Sequence, residues 1–408
     1  VIMGRMILDG QDGSLRGTGA YGAGSGYPGG GGVAAMSAVA DVDRDGLQEV
    51  VVGNALYDAD GATLWSNGLE DGYPAVADFD GDPEGEIVVT WSGNVRLQDD
   101  DGTVIWSGNY VGDTAGAPTI ADFDGDGEPE VGVAGRGMYM VIDTDGTPLW
   151  SRPTTDSSSG FTGSSVFDFE GDGVAEVVYA DEQDVWVFSG PDGTVKLRES
   201  THSSLTCSEY PTVADVDNDG HAEIVYTSNV AFGTETGLRV IGDADDSWMP
   251  GRQVWNQYAY NITNVEDDGA VPAVPDVNWD TYNNFRSGDV SRGKGAPLAD
   301  LGLVLHDVCE LECADGRILV WYALENSGLA AVDDPVEVEF LGETDAGTVV
   351  LGTATWSAGV ASGERTGSTE IELSVPGTLY ALRARLSSEA DQCDSADDEA
   401  TWTGVVCA

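Results

Sequence analysis

Short apolar runs, cut by acidic and glycine-rich turns, fill the first 250 residues. Around residue 120 they fall at 117–121, 131–134, 138–142 and 148–151. Each run is long enough for one strand and too short for a helix. From residue 297 the pattern changes to longer alternation. Val336, Val338 and Phe340 alternate with Glu337 and Glu339, and Ile371, Leu373 and Val375 with Glu370, Glu372 and Ser374. Seven strands are predicted there, at 301–308, 317–326, 336–341, 348–356, 369–375, 379–386 and 401–406. About 100 residues with seven strands predict an immunoglobulin-like (Ig-like) β-sandwich.

Two repeats interleave in the first part. One is an acidic loop: DVDRDGLQE at 41–49, DFDGDPEGE at 78–86, DFDGDGEPE at 122–130, DFEGDGVAE at 168–176 and DVDNDGHAE at 215–223. The other is an Asp-Gly turn leading into a strand, at Asp12, Asp60, Asp101, Asp145 and Asp192, with a degenerate copy at Asp245. Each unit therefore holds four strands, the last two joined by the Asp-Gly hairpin. Four strands in 40–50 residues is the size of a propeller blade. The expected fold is all-β: a β-propeller of about six blades, seven at most, then the sandwich. An open β-solenoid is the rival. The predicted organisation is 1–256 propeller, 257–297 an aromatic-rich linker or the completion of the last blade, and 298–408 sandwich. Six blades require two strands from 257–292 beside the N-terminal hairpin.

The acidic loops have the chemistry of a hard-cation site. Carboxylates at loop positions one, three and five, a carbonyl at seven and a carboxylate at nine supply the oxygen ligands Ca²⁺ takes, whereas Mg²⁺ demands a tighter octahedron. The predicted ligands are Asp41, Asp43, Asp45, Leu47 and Glu49; Asp78, Asp80, Asp82, Glu84 and Glu86; Asp122, Asp124, Asp126, Glu128 and Glu130; Asp168, Glu170, Asp172, Val174 and Glu176; and Asp215, Asp217, Asp219, His221 and Glu223. About five Ca²⁺ are expected. Pro83 in the second loop and the longer Glu170 in the fourth mark the weaker sites.

These loops, followed by strands such as EVVVG, EIVVT and EIVYT, resemble the FG-GAP (integrin-α-like, VCBS-type) repeats over roughly 33–256. The resemblance implies a propeller with calcium between the first two strands of each blade. Integrin-type loops usually carry Asp at position nine, where this chain has Glu. LVWYALENSGLAAV (319–332) resembles the CARDB type of bacterial adhesion domain. Together the resemblances imply a bacterial secreted or surface protein.

Charge sharpens the picture. The chain carries 72 acidic and 17 basic residues, a net −55. Such a surface repels nucleic acid and anionic membranes. Five dications would leave about −45, so the excess acidity points to a saline medium. No run is long and apolar enough to span a membrane. No leader precedes Val1, as in a mature secreted chain or a fragment. Cys309, Cys313, Cys393 and Cys407 cluster near the C-terminus and predict two disulfides of an oxidising compartment, with zinc as the rival and Cys207 left as a thiol.

Trp255, Tyr258, Tyr260, Trp279 and Tyr282 form either a glycan-binding platform or packing for the last blade. The glycine-rich stretch 22–32 predicts a flexible arm. No catalytic constellation is visible. His202, His221 and His306 are scattered, and a calcium-dependent polysaccharide lyase would have to use Arg136, Arg152, Arg239 and Arg252. The expected function is non-enzymatic: extracellular adhesion or ligand binding, with a protein or glycan of the cell surface as partner. A structural subunit of an extracellular filament, partnered by copies of itself, is the alternative. A calcium-dependent polysaccharide-active enzyme is a second.

Overall fold

The apolar runs become strands because β-branched and aromatic residues dominate them and turn residues end them quickly. The computed structural model describes residues 1–407 apart from 27–34, 208, 245–246, 290–300, 310–312, 327–331, 333–334, 346, 362–364 and 388–398. Every described sheet is antiparallel. The chain divides into two units, Val1–Lys294 and Gly295–Ala408.

Among the described residues the first unit contains six sheets in chain order. The first has Ile2–Met3, Met6–Leu8 and Leu15–Thr18. The second has Ala38–Ala40, Glu49–Val52, Ala55–Tyr57 and Thr63–Ser66. The third has Tyr73–Ala77, Glu86–Trp91, Asn94–Gln98 and Val104–Asn109. The fourth has Thr119–Ala121, Glu130–Gly135, Met138–Ile142 and Pro148–Pro153. The fifth has Ser165–Phe167, Glu176–Ala180, Val185–Phe188 and Val195–Glu199. The sixth has Thr212–Ala214, Glu223–Ser228 and Gly237–Ile241. Within each sheet the strands pair in sequence order. Second strands such as Glu130–Gly135 are buried along their whole length, which is why they read as unbroken apolar runs.

Neighbouring sheets pack face to face. Ile7 of the first sheet shares a core with Val50, Val52, Ala55 and Tyr57 of the second. Phe123, Tyr139 and Trp150 of the fourth meet Val177, Tyr179 and Phe188 of the fifth. The Asp-Gly turns are more than hairpin loops. Gly61, Gly102, Gly146 and Gly193 all have positive φ, and each hairpin carries a register shift just before the turn. This is a turn with a glycine bulge, and the neighbouring sheet requires the glycine. A Cβ on Gly102 would lie 2.8 Å from the ring of Trp65, and one on Gly193 2.5 Å from that of Trp150.

Two expectations fail here. The segment 257–289 adds no strand to the first sheet. It forms the 3₁₀ turns Ile262–Asn264 and Asn278–Asp280 and isolated bridges of Phe285 to Ile120 and Ser287 to Val166. Its sequence lacks alternation, and Pro272 and Pro275 have no N–H for a ladder. Residues 22–25 are not a loose arm: the amides of Ala23, Gly24 and Ser25 all donate to the Asp71 carboxylate, and Tyr57 Oη donates to the carbonyl of Gly22. Gly26 is buried against Tyr73, and the rest of the predicted arm, 27–32, lies outside the described residues.

Among the described residues the second unit contains seven strands in two sheets. Leu301–Cys309, Arg317–Asn326 and Thr369–Ser374 form one. Gly347–Trp356, Val336–Thr344, Leu379–Ser387 and Glu399–Cys407 form the other, in that spatial order. Their alternating apolar residues share one core. Leu303, Ile318, Val320 and Leu373 face Val338, Phe340, Leu382 and Ala384, and the Tyr322 and Phe340 rings meet edge to face at 5.3 Å.

Candidate metal centres

Each acidic loop joins the first strand of a sheet to the second, in sheets two to six. Its fold is written in its own hydrogen bonds. The amide at position two donates to Oε2 of the glutamate at position nine in every loop: Val42 to Glu49, Phe79 to Glu86, Phe123 to Glu130, Phe169 to Glu176 and Val216 to Glu223. The amide at position seven donates to the aspartate at five: Leu47 to Asp45, Glu84 to Asp82, Glu128 to Asp126, Val174 to Asp172 and His221 to Asp219. Position four is left-handed in all five loops, at Arg44, Gly81, Gly125, Gly171 and Asn218.

The loops thus gather carboxylates. Oxygens of Asp122, Asp124, Asp126 and Glu130 lie within 4.8 Å of one another, as do those of Asp41, Asp43 and Asp45, of Asp78, Asp80 and Glu86, and of Asp168, Glu170 and Glu176. The glutamate at position nine spends one oxygen on the backbone, and Glu86, Glu130 and Glu176 also belong to the carboxylate cluster of their loops. Oε1 of Glu86 and of Glu130, and Oδ1 of Asp41, are buried with no hydrogen-bond partner among the described residues. Buried oxygens left unpaired are costly, and a hard cation satisfies them. On this ground the residues fit a bound Ca²⁺, with the position-nine glutamate offering one oxygen.

The same crowding shows in proton affinity. Burial pushes Glu49 up to about 7, Glu86 to about 8 and Glu130 to about 9. The position-two amide opposes the shift, and the aspartates of the same loop add to it. These carboxyl groups call for a positive partner, a proton or a metal.

Two loops depart from the others. Position six is a positive-φ glycine in four of them, Gly46, Gly127, Gly173 and Gly220, whose amide donates to the aspartate at position one. Pro83 takes this place in the Asp78 loop and can supply neither the φ nor the donor. Its carbonyl instead accepts the indole of Trp279, 3.1 Å away. In the Asp168 loop, Lys196 Nζ lies 2.7 Å from both Glu170 Oε2 and Glu176 Oε1.

The aromatic-rich segment supports the loops from behind. Asn283 exchanges two hydrogen bonds with the backbone of Asp78, at 2.9 and 2.8 Å. The amides of Val166 and Asp215 donate to the carbonyls of Arg286 and Arg252. The five aromatics weighed as a platform do not share an open face. Tyr260 and Trp279 are buried, and Trp255 stacks on Tyr260 at 4.3 Å. Tyr258 packs on Tyr210, and Tyr282 is half-buried beside the Asp122 and Asp168 loops. Of the two alternatives the rings follow packing, and two of them, Trp255 and Tyr258, lie with Tyr210 around a buried cation. The Arg286 guanidinium lies 4.6 Å from the Tyr258 ring, 5.0 Å from Tyr210 and 5.5 Å from Trp255. Sequence reasoning missed Arg286, which carries no motif.

The arginines considered for a lyase are not brought together. Arg136 pairs with Asp113, Arg239 with Glu235 and Arg252 with Asp267. Arg152 donates to the carbonyls of Asp192 and Gly193. His202 is buried between Ser228 Oγ and the Asp181 carbonyl, and burial lowers its proton affinity. His221 Nδ1 lies 2.8 Å from the Trp248 carbonyl. His306 is exposed.

Of the four clustered cysteines, Cys313 is disulfide-bonded and Cys309 is a free, half-buried thiol. The expectation of two bridges using all four is corrected. Cys309 ends its strand opposite Leu319, which fixes it in the ladder, whereas Cys313 lies beyond the strand in the 3₁₀ turn Cys313–Asp315. Cys393 and the side chain of Cys407 lie outside the described residues. The Cys207 amide donates to Thr162 Oγ1.

Residues 168–226 match the family model of the FG-GAP-like repeat. The matched stretch runs from the Asp168 loop through the Asp215 loop and its following strand. No curated protein matches the chain. Among solved structures, the Vibrio cholerae biofilm matrix protein Bap1 is similar in fold, with a TM-score of 0.57 and 18% identity over 69% of this chain and 73% of that one. The Pan2 WD40 domain of Neurospora crassa aligns at a TM-score of 0.33 and 16% identity, over 52% of this chain and 64% of that one. Among the described residues no helix is long and apolar enough to cross a membrane.

Proposed function

We propose that this chain is a calcium-stabilised extracellular protein of the adhesion or matrix kind, without catalytic activity. Its first unit is read as a propeller whose six sheets are the blades, and its second as an Ig-like sandwich. One cluster supports a ring over a linear stack. Met36, Tyr73 and Ala117, at or before the first strands of sheets two, three and four, form one buried cluster, against which Tyr210, just before the first strand of sheet six, and Tyr258 pack. A straight stack would hold the second and sixth sheets well apart. The seven strands and shared core of the second unit support the sandwich.

The observation that carries the calcium reading is the pair of unpartnered buried oxygens, Glu86 Oε1 and Glu130 Oε1, each beside clustered aspartates. Calcium outside cells suits oxygen cages of modest affinity, and a disulfide at Cys313 fits an oxidising compartment. The fold likeness to a biofilm matrix protein supports a matrix role. Partners would be a protein or glycan of the cell surface.

Binding of the purified chain to a glycan array and to isolated matrix polysaccharide, in calcium and in EDTA, tests the reading. Retention that EDTA abolishes is expected. Shortened glycan products would overturn the non-enzymatic reading, and calcium-independent retention would separate binding from the loops.

A second reading, a subunit of an extracellular assembly, draws on the outermost strand of the sixth sheet, Gly237–Ile241. Leu238 and Val240 there are exposed, and among the described residues no strand pairs with its outer edge, the kind of edge that takes strand addition. Calcium-dependent fibres in electron micrographs would select it.

A further inference from the structure

The Asp168 loop already holds a cation of its own. Lys196 Nζ lies 2.7 Å from Glu170 Oε2 and 2.7 Å from Glu176 Oε1. Glu176 Oε1 is the counterpart of Glu86 Oε1 and Glu130 Oε1, the oxygens left unpartnered in the Asp78 and Asp122 loops. The ammonium therefore occupies the atom that elsewhere faces the place of an ion.

Strand register allows the comparison across sheets. Leu56 pairs with Trp65, Leu97 with Trp106, Val141 with Trp150 and Val187 with Leu197. The residue before each partner is Leu64, Ile105, Leu149 and Lys196. Three sheets place an apolar side chain where the fifth places a lysine. The same unit carries a second departure. Position three is Asp43, Asp80, Asp124 and Asp217 in four loops and Glu170 in this one. The two exceptional residues touch each other. An extra methylene on the acid carries its carboxylate out to an ammonium reaching in from the fourth strand. Glu176 is 2% exposed and Lys196 35% exposed, so the pair closes the loop from its solvent side.

We propose that Lys196 is a tethered counterion that replaces the divalent metal in the Asp168 loop. That loop then stays closed without calcium, while the loops at Asp41, Asp78, Asp122 and Asp215 depend on it. The proposal rests on the calcium reading of those other loops. The Lys196 ammonium supplies three donors and one positive charge. A tethered cation also has no dissociation by dilution, because it is part of the chain. The fifth sheet is thereby the segment whose acidic loop does not open when calcium falls.

Counting calcium per chain at saturation, by equilibrium dialysis with elemental analysis of the full chain, tests this. Asp122→Asn is expected to lose one ion and Asp168→Asn none. The double variant Lys196→Leu with Glu170→Asp restores the residues of the other repeats and is expected to gain one ion. Adding Asp168→Asn to it removes the gain. Loss of an ion from Asp168→Asn alone, or no gain in the double variant, overturns the proposal. If Asp168→Asn does not fold, the count of the double variant decides by itself. A wild-type chain that binds no calcium would instead remove the calcium reading, and the proposal with it.

Discussion

The indole Nε1 of Trp106 donates to the carbonyl of Thr144, 2.8 Å away on the hairpin of the next sheet. Trp65 does the same to Asp100, and Trp150 to Gly190. The second, third and fourth sheets are thus each stitched to the next through its Asp-Gly turn. Trp106→Ala should lower stability by about 2–3 kcal/mol, toward the low end for large core truncations because the ring is only half-buried. Gly146 holds φ at 85°, and its Cβ would lie 3.0 Å from the Trp106 ring. Gly146→Ala should therefore cost about 1–2 kcal/mol for backbone strain, plus the clash. In the Trp106→Ala background the clash disappears, so the two losses should not add. Urea melts of the double-mutant cycle measure this, and strict additivity would show that the ring and the turn do not interact.

Chelation is expected to lower the melting temperature strongly. A metal bound only to the folded chain stabilises it by about 2.7 kcal/mol per site at one hundred times its Kd. Calorimetry in low salt, with and without EDTA, reads the effect. An unchanged transition would rule out calcium as a structural ligand.

The effect of pH follows from the position-nine glutamates. Their folded values, about 7 for Glu49, about 8 for Glu86 and about 9 for Glu130, lie above the unfolded value near 4.5. Between those limits the folded, metal-free chain binds more protons than the unfolded one, so its stability falls as pH rises from about 4.5 to 9. Calcium needs the ionised carboxylates. The gap between calcium and EDTA melting temperatures should therefore widen from pH 5 to pH 9. A constant gap would show that these groups do not hold the ion.

Asp124→Ala should cost more calcium affinity than Asp80→Ala. Four carboxylates converge in the Asp122 loop and three in the Asp78 loop, where Pro83 withdraws a backbone donor. Titration calorimetry of each variant compares them, and equal losses would mean that Pro83 is neutral.

Arg286 is 1% exposed and donates to the carbonyls of Ser164 and Tyr258. Arg286→Met leaves both acceptors unpaired, at roughly 1–3 kcal/mol each. Arg286→Lys should not rescue, since an ammonium cannot span both carbonyls while stacked on the rings. Thermal melts of both variants check this, and full stability of the lysine variant would reduce the cage to simple charge.

The acidic loops, the Asp-Gly hairpins and the seven C-terminal strands were legible because their determinants are local. Asp41 to Glu49 form one turn, and Val336, Val338 and Phe340 one face. What was not legible depends on distant partners. Asn283 meets Asp78 across 205 positions with no periodicity to announce it. Arg286 gathers Tyr210, Trp255 and Tyr258 from separate segments. Lys196 left a trace, a charge where Leu64, Ile105 and Leu149 stand, but only the strand register gives that trace meaning. The left-handed turn at Arg44 and Asn218 was hidden because glycine fills the place in the other loops.

The reach of residues 283–289 back to earlier sheets has a consequence for how the protein is made. Phe285 and Ile120 exchange amide hydrogen bonds in both directions, and Val166 donates to Arg286. A chain growing from the ribosome can pair each sheet as it emerges, since those contacts are near in sequence. The tops of the third, fourth and fifth sheets stay uncovered until residue 289 has been synthesised. Such late, long-range closure slows the final step and leaves apolar strand ends exposed meanwhile.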